Sequence, residues 1–352
     1  RPLDRSASAL RDPPSRHAGQ SFVLSSGTMI PTLVFDLETI PDAQGLRRLN
    51  PDWASDLTDA QVIETALAAR QASHGTDFLP LHLHKIAVIG CVFRDDQGFR
   101  VKTLGNADDP ESVLLSGFFK TIERYTPRLV SWNGSGFDLP VLHYRSLIHG
   151  IQAPRYWDTG DDDRDFKFNN YISRYHNRHC DLMDVLAKYN GRANAPMDDL
   201  AKLCGFPGKL GMDGGQVWQA WNAGKAEEVR AYCETDVVNT WLVYCRFRFM
   251  KGELDRSAYD AEVQLVRDIE PQLVRKEQRG PDQGTECGEH RGVPSVGVDH
   301  QVAVGLHPLP VQRWQQQLAV AHVLVAQELY MFARDRAELC EAPRRRQVAL
   351  IG

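Results

Sequence analysis

The amino-acid sequence predicts an α/β fold with a mixed sheet, and three observations lead to that prediction. Short apolar runs rich in β-branched residues recur from Met29 onward, and amphipathic runs with helical spacing separate the later ones. A turn sequence at 95–98 joins the second and third apolar runs as a hairpin. Helical patterns dominate the end of the segment 29–276.

The predicted elements follow in order along this segment. Strands are expected at 32–36, 84–93, 99–103, 128–132 and 179–182, with the first three forming an antiparallel meander. Helices are expected at 112–125, 139–149, 183–189 and 226–250. Gly252 is placed to end the last helix, because glycine readily adopts the left-handed conformation of a C-terminal cap.

Composition and charge exclude several classes of protein. The chain has 352 residues, enough for about two domains, and its 42% hydrophobic and 25% charged residues exclude collagen-like and wholly disordered chains. Seven cysteines without a CxxC pair disfavour a disulfide framework and favour a reducing cytoplasm. Residues 29–278 carry 29 Lys and Arg against 36 Asp and Glu, so any nucleic-acid role must depend on a local site. The most apolar long stretch, 318–333, is too short and too polar to span a membrane.

The two terminal segments differ from the middle of the chain. Residues 1–28 are expected to be a disordered leader, either vector-derived or upstream read-through, with a targeting arm as the alternative. Residues 29–252 are expected to form the main domain. Residues 253–352 are expected to be a partly disordered, non-catalytic extension, because lysine is absent after Lys276. The helix-like spacing from Trp314 to Phe332 is either a real helix or an accident of an unrelated tail.

The first predicted strand carries two carboxylates, Asp36 and Glu38. Residues two apart on a strand point to the same face, so these side chains lie side by side. Adjacent buried carboxylates repel each other unless a cation lies between them. The alternative is a strand end with two solvated acids.

Two further motifs carry carboxylates near the edges of predicted elements. In the run 131–140, Asn133 and two glycines precede Asp138, which is either a functional acid or the N-cap of the next helix. In the long helix, Tyr232 and Asp236 lie four residues apart and share one face. The alternative for Asp236 is a solvent-facing position.

Four carboxylates and a phenol suit two hard divalent cations bound through oxygen. Two such cations about 3.5 to 4 Å apart can activate a water and stabilise a leaving oxygen, so the reaction class is phosphodiester hydrolysis. Positive charge at this place would also offset the acidic character of residues 29–278.

The motifs FDLET, NGSGFD and YCETD, in this order, resemble the three exonuclease motifs of the DnaQ-like superfamily. They resemble in particular the bacterial stand-alone group related to the proofreading exonuclease domain of family B DNA polymerases. The spacing Y-x-x-x-D resembles the tyrosine (DEDDy) subclass, and the resemblance covers about residues 29–250.

This resemblance implies an RNase H-like fold, with a mixed five-stranded sheet flanked by helices, and 3′–5′ exonuclease activity that releases nucleoside 5′-monophosphates. Tyr232 would orient the attacking water, and Asn133 and Phe137 would shape the approach of the terminal nucleotide. The implied ligands of two Mg²⁺ or Mn²⁺ ions are Asp36, Glu38, Asp138 and Asp236.

The expected substrate is single-stranded DNA or an unpaired 3′ end, because a terminal base must leave the stack to enter such a site. The alternatives are RNA as substrate and a non-catalytic nucleic-acid-binding module. No membrane partner is expected, and the sequence names no protein partner.

Lys209 is expected in a loop, where it contacts substrate phosphate or is simply solvated. A zinc site at His176, His179 and Cys180 is disfavoured because no second ligand pair has suitable spacing, and Asp181 is favoured as a helix cap.

Overall fold

A computed structural model describes residues 29–279 with the exceptions of 54 and 210. The expectations for residues 1–28 and 280–352 lie outside the described residues. The strands are β1 (Thr32–Pro41), β2 (His84–Asp95), β3 (Gly98–Thr103), β4 (Arg128–Ser131) and β5 (His179–Asp181). The α-helices are α1 (Ala43–Leu49), α2 (Asp59–His74), α3 (Glu111–Tyr125), α4 (Asp138–His149), α5 (Pro154–Trp157), α6 (Leu182–Leu186), α7 (Met197–Leu203), α8 (Val217–Asn222), α9 (Ala226–Met250) and α10 (Arg256–Arg279). Short 3-10 helices lie at Leu81–Leu83, Arg164–Lys167, Gly191–Ala193 and Gly214–Gln216.

The described strands form one five-stranded mixed sheet in the order β3-β2-β1-β4-β5. β1, β2 and β3 are antiparallel neighbours, whereas β4 runs parallel to β1 and β5 runs parallel to β4. Helices cover both faces of the sheet. This strand order and these directions are those of the RNase H-like fold, which confirms the predicted fold class.

β1 lies at the centre of the sheet and is buried on both faces. Leu33 and Phe35 belong to the core on the side of α3 and α4, whereas Val34 belongs to the core on the side of α9. Because side chains alternate along a strand, Asp36 and Glu38 share the face of Val34 and point toward α9. The burial of both faces leaves these two carboxylates little contact with bulk water.

β1 is longer than the sequence predicts. It continues from Asp36 to Pro41, with a β-bulge between Glu38 and Thr39. The alternative of a strand end with two solvated acids is therefore wrong. Pairing with β2 extends as far as Pro41 and His84, which carries the strand past the two acids.

The remaining predicted elements are confirmed within a few residues of their expected ends. The hairpin between β2 and β3 pairs Asp95 with Gly98 as expected. α9 ends at Met250, and Gly252 has the left-handed backbone (φ 74°) expected of a terminating glycine.

α1 and α2 were not predicted from the sequence. They pack together with the segment before β2 around a small apolar cluster that includes Leu46, Val62 and Ile63. The capping box of α2, in which Thr58 and Gln61 exchange hydrogen bonds, is a sequence signal that could have located this helix.

Packing continues past Gly252 into α10. Tyr259 is buried in the core on the α9 side of the sheet, and Glu262 forms an ion pair with Arg94 of β2 at 3.0 Å. The first part of α10 is therefore attached to the sheet by a core contact and a half-buried ion pair.

A second buried ionic cluster joins α4 to three other elements. The Arg145 side chain is 3% exposed, and its guanidinium donates to Asp42 Oδ2 at 2.6 Å and to both oxygens of Glu111 at 2.5 and 2.8 Å. Glu111 Oε1 also accepts from the backbone of Ile86 at 2.7 Å, and Glu111 Oε2 contacts His149 Nε2 at 2.7 Å.

Among the described residues no helix is both long and apolar enough to cross a bilayer.

Candidate active site

One of the two acids of β1 lines a surface cavity of about 610 Å³. This acid is Asp36, whereas Glu38 is 6% exposed and is next to Asp36 without lining the cavity. Ligand atoms of Asp36, Glu38 and Cys233 lie within 4.8 Å of one another, close enough to contact a single cation. Cys233 follows Tyr232 on α9, and the sequence analysis did not assign it a role.

Asp138, at the start of α4, approaches β1 along the edge that pairs with β4. Its Oδ1 accepts a hydrogen bond from Leu37 N at 3.0 Å. β4 pairs with β1 only as far as Val34 and Val130, so Leu37 N lacks a strand partner and the aspartate takes that place. The N-cap alternative for Asp138 is wrong, because Asp138 is the first residue inside α4 and Phe137 precedes it without a side-chain cap.

α9 contributes Tyr232 and Asp236 from one face, as the four-residue spacing predicts. Both side chains are buried, at 4% and 5% exposure. Lys209 Nζ forms an ion pair with Asp236 Oδ2 at 2.9 Å and donates to Tyr232 Oη at 2.6 Å. The other carboxylate oxygen, Asp236 Oδ1, is buried without a hydrogen-bond partner among the described residues.

The loop that presents Lys209 is held by two side chains that the sequence analysis missed. Lys209 N donates to Asp198 Oδ1 at 2.7 Å. Asn239 of α9 accepts from Gly208 N at 3.0 Å and donates to Gly208 O at 2.9 Å. Asn239 is one turn beyond Asp236 on the amphipathic helix, but no spacing in the sequence links it to residue 208.

The loop after β4 forms one wall of the cavity, where Asn133 and Phe137 both line the space. Asn133 has a left-handed backbone (φ 63°), a conformation that asparagine tolerates better than most residues. A Cβ on Gly134 would lie 2.2 Å from Ser131 Oγ, so this close approach requires glycine.

Asp181 fixes the position of this loop. Its carboxylate accepts from Asn133 N at 3.0 Å and from Ser135 N at 2.8 Å. It also caps α6 through Asp184 N, which confirms the predicted cap. The disfavoured zinc ligands have other partners, since His179 Nε2 contacts Ser131 Oγ at 2.8 Å and His176 Nδ1 accepts from Asn170 N at 3.0 Å.

Burial and mutual repulsion shift the proton affinities of the four carboxyls. Burial, reinforced by the charges of Asp138 and Asp236, raises the pKa of Asp36 well above its usual range. Burial also raises the pKa of Glu38, with the charge of Asp36 adding to it, and raises the pKa of Asp138 to about 7. The pKa of Asp236 is raised by burial although Lys209 opposes the shift.

Tyr232 remains protonated over the whole physiological range. Burial, together with the charges of Asp236 and Glu38, raises the pKa of its phenol. The pKa of the Cys233 thiol is raised for the same reasons. The described part of the site therefore holds four carboxyl groups, two neutral donors and one ammonium group, a donor set that fits a divalent cation.

The comparisons agree with the resemblance carried by the motifs. Residues 76–281 match the family described as predicted 3′–5′ exonuclease related to the exonuclease domain of PolB. Asn133, Asp138, Lys209, Tyr232 and Asp236 lie inside the matched residues, whereas the acids of β1 precede them.

Two individual proteins are similar to parts of the chain. A DNA polymerase from Archaeoglobus fulgidus is 25% identical over 149 residues, which are 42% of this chain and 19% of the polymerase. The family B DNA polymerase from the hyperthermophilic archaeon Pyrobaculum calidifontis matches with a TM-score of 0.39 and 14% identity, over 63% of this chain and 25% of the polymerase. This chain thus spans only a small part of either polymerase. Since the family match covers more than half of the chain, the protein belongs to the family of predicted 3′–5′ exonucleases related to the exonuclease domain of PolB.

Proposed function

We propose that the protein is a divalent-metal-dependent 3′–5′ exonuclease that acts on single-stranded DNA or unpaired 3′ ends and releases nucleoside 5′-monophosphates. One observation carries the proposal. Carboxylates from β1, α4 and α9 line one cavity with Lys209 as their cationic neighbour, and Asp236 Oδ1 has no hydrogen-bond partner within the described ranges. Family membership supports the reaction class.

Asp36, Glu38, Asp138 and Asp236 are the residues that would hold two Mg²⁺ or Mn²⁺ ions. Oxygen donors of this kind are the ligands that hard cations prefer. Bound divalent cations would supply countercharge and Lewis acidity for hydrolysis of a phosphodiester. Without such cations, four carboxyl groups facing one lysine would repel the phosphate backbone of a substrate.

Tyr232 acts in this proposal as a neutral hydrogen-bonding group that orients the attacking water. Its raised pKa excludes a phenolate base near neutral pH. Lys209 holds the hydroxyl of Tyr232 in place and adds a positive charge beside Asp236, where a scissile phosphate can be contacted.

The cavity can hold the terminal nucleotide. Its volume of about 610 Å³ is within the range of small-molecule sites. Asn133 offers an amide on one wall, and the Phe137 ring contacts the His84 ring edge-on at 5.3 Å. A base enters such a cavity only after it has left the stack, which favours single strands and frayed ends.

The test is cleavage of matched 5′-labelled DNA and RNA strands with Mg²⁺, with Mn²⁺ and with EDTA. We expect a ladder that shortens from the 3′ end, release of 5′-monophosphates, and faster cleavage of DNA. An Asp236→Ala protein purified in parallel controls for contaminating nucleases. Equal ladders from both proteins, or ladders that persist in EDTA, would contradict the proposal, and a preference for the RNA strand would change its substrate.

A further inference from the structure

A second cavity, of about 200 Å³, lies at the opposite end of the sheet from the acids. Arg128 at the start of β4 and His179 at the start of β5 line it, whereas the active-site loops follow the ends of these strands. Lys251, which follows the last residue of α9, also lines it. Lys251 is 15 residues beyond Asp236, which corresponds to about 22 Å along a helix.

The lining of this cavity is cationic, although residues 29–278 are acidic overall. Arg128, Arg174 and Lys251 face one lining carboxylate, Glu253. Lys251 pairs with Glu253, and Arg174 pairs with Asp184 at 2.6 Å. The guanidinium of Arg128 donates to Tyr244 Oη at 3.2 Å, and the charge of Glu253 also acts on it, although no direct ion pair of Arg128 occurs in the described part of the chain. Guanidinium groups have several donors in a planar fork, so a guanidinium with one partner can still bind phosphate oxygens.

Exposed aromatic rings stand next to these cations. Tyr175 is 70% exposed and Tyr189 is 37% exposed, and their ring centroids are 4.9 Å apart in an edge-to-face contact. The guanidinium of Arg174 lies 5.1 Å from the centroid of the Tyr189 ring. Exposed rings beside cations form the stacking platforms of proteins that bind single-stranded nucleic acids.

The backbone that carries Tyr189 is held in an unusual conformation. Lys188 and Tyr189 are consecutive residues with left-handed backbones (φ 53° and 59°), which costs about 1–2 kcal/mol per residue outside glycine. The hydrogen bond from Tyr189 N to Asp184 O, at 2.7 Å, stabilises this turn. This turn places a large ring, which is 37% exposed and belongs to none of the described core clusters, in the lining of the second cavity.

The short helix α6 contributes to the lining of both cavities. Met183 of α6 lines the active-site cavity, and Val185 of the same helix lines the second cavity. A nucleic-acid strand that leaves the active site past α6 would therefore run toward the second cavity, which Tyr189 and Arg174 line. The distance along α9 leaves room for several nucleotides between the two sites.

We propose that this second cavity and its aromatic rim form a binding site for the phosphates and bases of single-stranded nucleic acid, upstream of the 3′ end held in the active site. The position of the 3′ end rests on the proposed function. The site supplies affinity for longer strands, and it anchors them while the terminal nucleotides are removed.

The test measures binding in EDTA, where the uncompensated carboxylates of the active site bind phosphate poorly. Fluorescence anisotropy compares 5′-labelled strands of about 15 and about 4 nucleotides, lengths that span known single-strand site sizes. The variant is Arg174→Ala with Tyr175→Ala. The matched control is Arg124→Ala with Tyr125→Ala, an exposed arginine–tyrosine pair 5.0 Å apart that lines neither cavity.

We expect the parent and the control to bind the longer strand at least about 10-fold more tightly than the shorter strand, and the variant to lose this gain. The salt dependence of log Kd should also weaken by about 0.7 for each phosphate contact removed. Lys251→Glu, a change at one exposed side chain, should weaken binding of the longer strand in the same direction. Circular dichroism and thermal melting establish that each protein is folded.

A folded variant that keeps the full gain with strand length would overturn the proposal. Inorganic phosphate or a mononucleotide that binds as tightly as the longer strand and displaces it would also overturn it, in favour of a small-anion site. Because binding is measured without metal, absence of exonuclease activity leaves this test intact. Conversely, active protein without length-dependent affinity refutes only the second site.

Discussion

Two buried groups of carboxyls in this molecule differ in the cations that face them. Asp42 and Glu111 share the guanidinium of Arg145, which donates to both of them. Around the candidate active site, four carboxyls face one ammonium group, that of Lys209. Both groups are buried near β1, and both are built from residues distant in the sequence.

The pKa shifts follow this difference. Burial alone would raise the pKa of Asp42, but hydrogen bonds from Gly45 N and Arg145 outweigh burial and lower this pKa below its usual range. For Asp36 and Glu38, burial and neighbouring charges act together and raise the pKa. A buried carboxyl group with a matched cation serves the fold, whereas an excess of buried carboxyls without one is a candidate cation site.

The largest expected effect comes from removal of a carboxylate in the candidate active site, where four carboxyls face one ammonium group. Asp236→Ala should lower kcat by about 10³-fold or more, because it removes a proposed metal ligand that supplies several kcal/mol of stabilisation in the transition state. The folded state should persist, because Asp236 Oδ1 makes no hydrogen bond in the described part of the chain and Lys209, which loses its ion pair with Oδ2, is 33% exposed and keeps its hydrogen bond to Tyr232. Single-turnover cleavage and Mn²⁺ titration measure the effect, and retention of parental activity with Mg²⁺ would contradict the ligand assignment.

Removal of Arg145, the cation that Asp42 and Glu111 share, should lower the free energy of unfolding. Arg145→Ala leaves Asp42 and Glu111 buried without the guanidinium that they share, and loss of one member of such a group costs about 3–5 kcal/mol. Urea unfolding gives the free energy of unfolding. A change below about 1 kcal/mol would mean that the network is not a structural requirement.

A hydroxyl deletion in the active site should have an intermediate effect. Tyr232→Phe keeps the buried ring but removes the oxygen that Lys209 contacts at 2.6 Å. We expect kcat to fall about 10²-fold, the lower end of the range for a positioning or proton-transfer group. Metal affinity should stay close to the parental value. If Mn²⁺ affinity instead falls as far as in Asp236→Ala and excess metal restores turnover, Tyr232 belongs among the metal ligands.

The smallest expected effect is the pH dependence of the metal-free protein. The pKa of Asp138 rises from 3.8 to about 7 on folding, so the folded state binds the proton more tightly than the unfolded state. Protonation of Asp138 therefore stabilises the folded state. This contribution to the free energy of unfolding is fully present below about pH 4 and is lost as the pH rises through about 7. Asp138→Asn abolishes this ionisation, and its oxygen can still accept from Leu37 N.

Thermal melts in EDTA at pH 5 and pH 8 measure this contribution. The parent should lose more stability between these pH values than Asp138→Asn, with about 2–4 °C of Tm for each kcal/mol. Mg²⁺ should raise the Tm of the parent at pH 8 more than that of the variant. Identical pH profiles would show that Asp138 does not carry the shifted ionisation.

Much of the fold could be predicted because its signals are local. Short apolar runs mark the strands, and the turn at 95–98 sets the hairpin. The two-residue spacing of Asp36 and Glu38 and the four-residue spacing of Tyr232 and Asp236 follow from the periodicities of a strand and a helix. The motif order then led to the family that the comparison confirms.

The role of Asp138 shows where local signals end. The sequence at 133–138 fits an N-cap, but the structure directs the carboxylate to Leu37 N, 101 residues away in the chain. The carboxylate takes this position because the pairing of β1 with β4 ends at Val34. The backbone N–H of Leu37, further along β1, is therefore left without a strand partner at the centre of the sheet. No spacing around Asp138 contains that information.

The sequence by itself therefore determined the element types, the strand meander, the motif order and the pairs of side chains that share a face. Tertiary structure alone decided how Lys209 meets Asp236 and Tyr232, how Asn239 and Asp198 hold its loop, and that Cys233 approaches the acids of β1. The physical reason is that backbone periodicity acts over a few residues, whereas burial and charge balance depend on every segment that packs at the same place.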